Sequence, residues 1–310
     1  MTRSFKSGSA LVCALAAIGC GSEDGSTPTT TAPGARDLRM EVPAADPAFL
    51  DFVGGEFTIE PGYEKMACTH LRYDGSDIAF SKLKTLQSDY GHHAVLLAAK
   101  EPLPPGTTED CTDRASMSKY DAYTIGDQDL PPGHGIFLAG GKSMVLQSHY
   151  INTSSQPILV RDVVRMQKMA IEDVTTWAAI HITNTLEFAV PSYEKKKITF
   201  DCTVDKDVDL LMVGGHMHEW GSRFEFFYGP SEAELKSLYL ADPWRPDYRD
   251  APPITLFFTN PMRLKAGSIM RTVCEWDNST TDELSFPTEM CTSFGYVAGS
   301  KEPVVCSIGQ

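Results

Sequence analysis

The sequence predicts an all-β protein with mostly antiparallel strands. Its apolar residues fall in short runs, many bounded by Gly, Pro, Asn or Asp, which is typical of strands joined by turns. The runs are 94–97, 136–138, 144–146, 158–160, 178–182, 208–213, 224–228 and 254–258. Only residues 231–240 are predicted to be helical, because they carry Glu232, Glu234 and Lys236 without a helix breaker.

A boundary between two domains is predicted at residues 188–197, where a strand ends at a proline and a run of lysines follows. The body of the chain then divides into 37–190 and 191–310, and each part is long enough for one β-sandwich. The alternative is one continuous β-structure with a charged loop at this point.

The first residues have the pattern of a bacterial lipoprotein signal peptide. Residues 1–19 carry Arg3 and Lys6, then a short apolar run, and Ala-Ile-Gly immediately precedes Cys20. This predicts lipidation of Cys20, with plain secretion as the alternative. Residues 20–36, rich in Ser, Thr, Pro and Gly, are expected to be a disordered tether. We therefore expect export to the bacterial cell envelope, in the periplasm or on the outer surface, with a lipid anchor in the membrane.

The net charge argues against a nucleic-acid partner. The chain carries −14 at pH 7, and removal of Arg3 and Lys6 with residues 1–19 makes this −16. A strongly acidic protein repels phosphate backbones, so binding to nucleic acid is not expected.

Six cysteines remain after Cys13 leaves with the signal peptide and Cys20 takes the lipid. An even number in an exported chain predicts three disulfides. They are Cys68, Cys111, Cys202, Cys274, Cys291 and Cys306. The domain boundary would separate the first two from the other four, and the pairing among those four stays open.

Two histidine motifs have the spacing of metal ligands. His216 and His218 are two residues apart, so on a strand both imidazoles lie on one face and can converge on one ion. The alternative is a strand with two surface histidines. His92 and His93 are adjacent and would face opposite ways unless the backbone bends, which Gly91 permits. The alternative there is one buried and one exposed histidine.

Two further residues are candidate ligands. His149 ends a predicted strand, and Met290 directly precedes a cysteine, so a disulfide could fix it in space. Methionine is more often core filler, but a thioether together with imidazoles suits copper that cycles through Cu(I). The remaining histidines, His70, His134 and His181, are predicted to be structural.

The order of the motifs resembles a known family. The motifs are His92-His93, Gln147-Ser148-His149-Tyr150, His216-Met217-His218, Cys274-Glu275-Trp276-Asp277-Asn278 and Glu289-Met290-Cys291. In this order, over residues 57–306, they are similar to the catalytic core of the ascorbate-dependent type II copper monooxygenases, the family of the peptidylglycine- and dopamine-hydroxylating enzymes.

The resemblance implies two copper ions with different ligands. One, which passes on electrons, would bind His92, His93 and His149, here called the three-histidine set, with Gln147 beside it. The other, which binds oxygen, would bind His216, His218 and Met290, here called the His-Met set. The implied disulfides are Cys68–Cys111, Cys202–Cys306 and Cys274–Cys291. The implied fold is two jelly-roll-like antiparallel β-sandwich domains facing each other across an open cleft.

The implied activity is hydroxylation of a C–H bond in a small organic substrate, with O2 as co-substrate and ascorbate as electron donor, by a monomeric enzyme. The peptide-hydroxylating branch has polar recognition groups where this chain has Gly214, Thr292 and Phe294, which argues against a peptidylglycine substrate. The alternative function is a copper-binding or copper-sequestering surface lipoprotein without turnover. A third reading, a structural β-sandwich with incidental histidines, does not explain the ordered motifs.

Overall fold

The chain folds into β-strands joined by turns, in a computed structural model that describes residues 34–113, 116 and 118–308. The predicted signal peptide, the lipidation site Cys20 and most of the tether lie outside these residues. Among the described residues, no helix is long and apolar enough to cross a membrane. The predicted all-β class and its sandwich architecture are confirmed.

The described strands run in chain order as follows. The first half contains β1 (Arg36–Asp37), β2 (Phe49–Val53), β3 (Phe57–Ile59), β4 (Glu64–Arg72), β5 (Ile78–Leu86), β6 (Gly91–Ala99), β7 (Thr108–Asp110), β8 (Tyr120–Ala122), β9 (Gln128–Asp129), β10 (His134–Leu138), β11 (Ser143–Ile151), β12 (Ile158–Val160), β13 (Val163–Met169) and β14 (Thr176–Thr185). The second half contains β15 (Lys195–Thr203), β16 (Val208–His216), β17 (Gly221–Gly229), β18 (Lys236–Ala241), β19 (Ile254–Leu256), β20 (Met262–Leu264), β21 (Ile269–Asp277), β22 (Cys291–Ala298) and β23 (Val304–Ile308). Short 3-10 helices are Ile171–Asp173, Glu232–Glu234 and Pro246–Arg249.

One large sheet runs through both halves of the chain. Its 11 described strands follow the order β19-β16-β22-β14-β10-β5-β13-β2, with β20 on β16, β23 on β14 and β9 on β5. A 5-stranded sheet, β7-β4-β11-β6-β8, comes from the first half, and a 4-stranded sheet, β15-β21-β17-β18, comes from the second. A small sheet of β1, β12 and β3 completes the described part.

The 5-stranded sheet and the 4-stranded sheet cover opposite faces of the large sheet. On β22, Val297 packs into the core beneath the 4-stranded sheet, whereas its neighbours Tyr296 and Ala298 pack into the core beneath the 5-stranded sheet. Since successive side chains of a strand point to opposite faces, β22 is covered on both sides. This explains why nearly every residue of this strand is buried.

The predicted division at residues 188–197 falls between β14 and β15. Each smaller sheet lies within one predicted half, but β14 pairs with β22 along eight residues and with β23 along five. The described part of the chain accordingly falls within one compact unit. Two independent domains therefore stay a prediction.

The predicted helix at residues 231–240 is wrong. Only Glu232–Glu234 forms a single 3-10 turn, and Lys236–Ala241 is strand β18, which pairs with β17. Tyr239 and Ala241 are buried on one face of β18 while Leu240 is exposed. Burial of that face against the core outweighs the helical preference of the glutamates, because intrinsic propensity is a weak prior.

The three disulfides implied by the resemblance are present. They are Cys68–Cys111, Cys202–Cys306 and Cys274–Cys291, with Cα–Cα distances of 5.8, 6.1 and 6.0 Å. Each lies within one predicted half. The first joins β4 to the segment after β7, and the third joins β21 to the start of β22.

Two of the three histidines predicted to be structural are held in the core. His70 Nε2 lies 3.1 Å from Glu109 Oε1, and its Nδ1 accepts the backbone N–H of Leu103 at 3.2 Å. His181 is fully buried on β14 with its ring edge-on to Phe226, 5.6 Å away. Neither ring nitrogen of His181 makes a hydrogen bond of good geometry within the described part of the chain. His134 instead is the half-buried first residue of β10, directly after a turn, and its Nδ1 lies 3.3 Å from the backbone oxygen of Pro132.

The burial of His181 predicts an acid-sensitive stability. Burial lowers its pKa to about 4 in the folded protein, whereas an unfolded histidine titrates near 6.5. The unfolded chain therefore binds more protons between these values, so stability rises with pH through this window and is lost as pH falls. From pH 7.5 to pH 5 this amounts to about 2 kcal/mol.

We expect His181→Leu to remove this contribution. Denaturant unfolding at both pH values should show the wild type losing about 2 kcal/mol more than the variant on acidification. A metal chelator present throughout keeps the other histidines equivalent in the two proteins. Equal losses in both proteins would contradict the assignment.

Candidate metal centre

The three-histidine set lies at a β-bulge between β6 and β11. His149 is directly opposite His93, but the next pair joins Tyr150 to Gly91, so His92 is the extra residue in the ladder. A bulge bends the strand and redirects its side chains. The imidazoles of His92 and His93 can therefore lie on the same side of the sheet. This is the bend that the two residues require if they are to share one ion.

The second ring nitrogens of this set face groups that orient the imidazoles. His149 Nε2 lies 2.7 Å from Glu64 Oε1, and His93 Nε2 lies 3.1 Å from Gln147 Oε1. Since both partners accept through oxygen, each Nε2–H donates and each Nδ1 keeps its lone pair. Metal-ligating histidines are held in this way by carboxylate or carbonyl groups.

The remaining nitrogens converge. The candidate ligand atoms of the three-histidine set all lie within 4.8 Å of one another, and His92 Nδ1 is 2.9 Å from His93 Nδ1. Two nitrogens bound about 2 Å from one ion are separated by about 3 Å. The buried His149 Nδ1 has no hydrogen-bond partner among the described residues. The set therefore has the geometry of a metal site.

The His-Met set lies where β16 ends and β22 begins. His216 is paired with Thr292 in the register of these strands, two residues beyond Met290. His218 Nδ1 donates to the backbone carbonyl of Thr288 at 2.9 Å. Its buried Nε2 has no partner in the described part of the chain and keeps its lone pair. The half-buried Met290 lies on the segment that holds His218.

The two sets meet in one cluster of imidazoles. The ring of His92 lies 5.9 Å from that of His216 and 5.8 Å from that of His218. The side chains of His92 and His149 are only 2% and 1% exposed. At this point the cleft that the resemblance implies is closed.

Burial and mutual repulsion keep four of these imidazoles neutral. Burial is the main cause that lowers the pKa values of His92, His216 and His218, and it lowers that of His93 to about 3. Neighbouring imidazoles also lower the pKa of His92. A metal ion would meet lone pairs at neutral pH without displacing protons.

A charged rim that the sequence did not reveal surrounds the cluster. Asp250 Oδ1 lies 3.2 Å from His92 Nε2, and Arg249 contacts both Asp250 and Glu219. The hydrogen bond to His149 is the main cause that lowers the pKa of Glu64. The carboxylates come from strands and loops far apart in sequence, and no local motif marks them.

Gly214 and Phe294, which carry no polar group, form an apolar wall beside His216. These two residues are paired in register, and a Cβ at Gly214 would lie 2.8 Å from Phe294 Cζ. Phe294 thus fills the space that a side chain at position 214 would need. Thr292, which is paired with His216 in the strand register, has a buried Oγ1 without a hydrogen-bond partner in the described part of the chain.

Comparisons with known proteins add no functional assignment. No family model matches the chain, and no curated protein matches it. Among solved structures, a match is the infectious bursal disease virus VP2 subviral particle, at 10% identity over 86% of this chain and 75% of that chain. Its TM-score of 0.23 is too low to carry an argument.

Removing the charge of Glu64 is expected to weaken metal binding by the three-histidine set. In Glu64→Gln the amide oxygen can still accept from His149, but the negative charge that raises ligand basicity is gone. We expect about a tenfold loss of copper(II) affinity. The measurement is a competition titration against a chelator in a His218→Ala background, with the exposed Glu60→Gln as matched control. Unchanged affinity in Glu64→Gln would contradict a metal at this set.

Proposed function

We propose that this protein is an ascorbate-dependent copper monooxygenase that hydroxylates a C–H bond of a small organic substrate with O2. The observation that carries the proposal is the convergence of the imidazoles of both ligand sets, which come from separate strands, on one place. Copper bound there would supply oxygen activation and one-electron transfer, chemistry that side chains alone do not provide.

The donor groups fit copper. His149 Nδ1 and His218 Nε2 are buried without partners in the described part of the chain, and in each ring the other nitrogen is fixed by an acceptor. Such nitrogens lose the hydration they would have in water, so the arrangement favours a bound ion. Imidazoles alone would suit several metals, but a thioether selects Cu(I).

The difference between the two sets supports turnover rather than storage. One set offers three nitrogens. The other offers two nitrogens together with the sulfur of Met290, which directly follows Thr288 and Glu289, the two residues that hydrogen-bond His218. Ligand softness shifts the balance between Cu(I) and Cu(II), so the two sets would hold ions of different redox preference. Storage alone requires no such difference.

One observation favours the alternative, a copper-sequestering protein. The two sets touch, and the side chains of His92 and His149 are almost completely buried. In this arrangement the imidazoles shield the site, so a substrate must enter beside the exposed rim or after the two halves separate. A protein that only holds copper needs neither route.

A metal and oxygen assay tests the proposal. The copper-loaded protein is dialysed and its metal content measured, then oxygen uptake is followed with ascorbate. Amines, phenols, acyl-glycines and hydrocarbons are screened by mass spectrometry for the gain of one oxygen atom. Two coppers per chain with substrate-dependent uptake supports the monooxygenase. Two coppers without uptake favours sequestration, and one copper or fewer with a preference for zinc contradicts both.

Met290→Ala is expected to abolish hydroxylation while ascorbate still reduces copper in the three-histidine set. Met290 would be the only sulfur ligand, and no ligand of the other set depends on it. His149→Ala should instead impair reduction at the three-histidine set. Stopped-flow reduction and product formation are compared in both variants, with the half-buried Met262→Ala as control for loss of a methionine. Wild-type product formation by Met290→Ala would show that this residue is core packing.

A further inference from the structure

Behind the His-Met set lies a buried carboxylate that accepts four hydrogen bonds. Glu289 is 0% exposed. Its Oε2 accepts the backbone N–H of His218 at 2.9 Å, the indole Nε1–H of Trp276 at 3.0 Å and the backbone N–H of Met290 at 3.3 Å. Its Oε1 accepts the backbone N–H of Trp220 at 2.8 Å. One side chain therefore ties together two ligand-bearing segments that are far apart in sequence.

An ionised carboxylate suits this position because it only accepts hydrogen bonds. Its two oxygens offer about four lone-pair sites, whereas an amide offers one oxygen and two N–H donors. An amide at position 289 would direct N–H donors at N–H groups that are already donors. Hydrogen bonds to a charged group are also shorter and stronger than neutral ones.

The three-histidine set has a corresponding carboxylate. Asp162 is 0% exposed, and its two oxygens accept from the Tyr150 hydroxyl and from Gln87 Nε2, the latter at 3.0 Å. Gln87 Nε2 also lies 2.9 Å from the backbone oxygen of His93 and 3.4 Å from that of His149. The amide thus bridges the two strands at the bulge, and Asp162 holds the amide.

Gly91 makes room for this bridge. A Cβ at Gly91 would lie 2.2 Å from Gln87 Cδ and 2.6 Å from Gln87 Oε1. The missing side chain therefore serves the Gln87 amide as well as the bend in the backbone. Any larger residue at position 91 would therefore displace the Gln87 side chain from the bridge.

We propose that Glu289 and Asp162 are positioning residues, each of which fixes the backbone of one ligand set. The proposal rests on the proposed function only in taking both sets as metal sites. All partners of Glu289 lie between residues 218 and 290, and all partners of the Asp162 bridge lie between residues 87 and 162. The two carboxylates share no partner among these contacts, so each should act on its own set.

Crossed isosteric variants test the proposal. Glu289→Gln and Asp162→Asn are each placed in a His149→Ala background, which leaves the His-Met set, and in a His218→Ala background, which leaves the three-histidine set. Copper affinity is measured by competition with a chelator. We expect Glu289→Gln to lower the affinity of the His-Met set about tenfold and that of the three-histidine set by less than about twofold. We expect Asp162→Asn to lower the affinity of the three-histidine set about tenfold and that of the His-Met set by less than about twofold.

A second variant keeps the test decisive if Glu289→Gln does not fold. Trp276→Phe removes only the indole N–H and keeps an aromatic ring that can stack on Phe188, whose centroid is 4.8 Å away. We expect a smaller loss, about threefold, again confined to the His-Met set. Circular dichroism and thermal unfolding check that each variant is folded.

The outcomes separate this proposal from the proposed function. If the parent protein binds two coppers but both carboxylate variants weaken both sets equally, or neither variant weakens either set, the positioning role is wrong and the copper sites remain. If the parent binds no copper, the proposed function fails and the positioning role fails with it. Selective, crossed losses support both.

Discussion

Buried imidazole nitrogens that lack hydrogen-bond partners are the constraint on which this site depends. Leaving a buried polar group unsatisfied costs about 1–3 kcal/mol, and His149 and His218 each keep one such nitrogen in the described part of the chain. A metal ion would remove that cost by taking up the lone pairs. The surrounding contacts determine the ring positions. Glu64, Gln147 and the carbonyl of Thr288 provide those contacts.

The fold supplies this rigidity by joining its halves through one sheet. Strand β14 pairs with β22 across the middle of the large sheet, and β22 is covered by core on both faces. The start of β22 faces the end of β16, which places Thr292 beside His216. The three-histidine set lies at the start of β6 and the end of β11, in the 5-stranded sheet that covers one face of the large sheet. Contact between the sets therefore follows from how the 5-stranded sheet lies on the large one.

The sequence predicted the local features of the site and missed the long-range ones. Short apolar runs predicted the strands because their patterning is local, and Gly91 indicated the bend at His92 and His93. Residues 231–240 were misread because the pairing of β18 with β17 lies outside any local window. Glu64 and Asp162 could not be found, since their roles depend on strand register. The contact of His92 with His218 depends on tertiary packing alone.

Disulfides connect the two sets to the compartment in which the protein is expected to fold. Gln147, which accepts from His93, directs its Nε2 at the sulfurs of Cys68 and Cys111, 4.0 and 3.8 Å away. Cys291, bonded to Cys274, directly follows Met290. Each set thus lies one residue or one hydrogen bond from a crosslink. Such crosslinks form in oxidising compartments. The ligand geometry that depends on these disulfides therefore agrees with the predicted export.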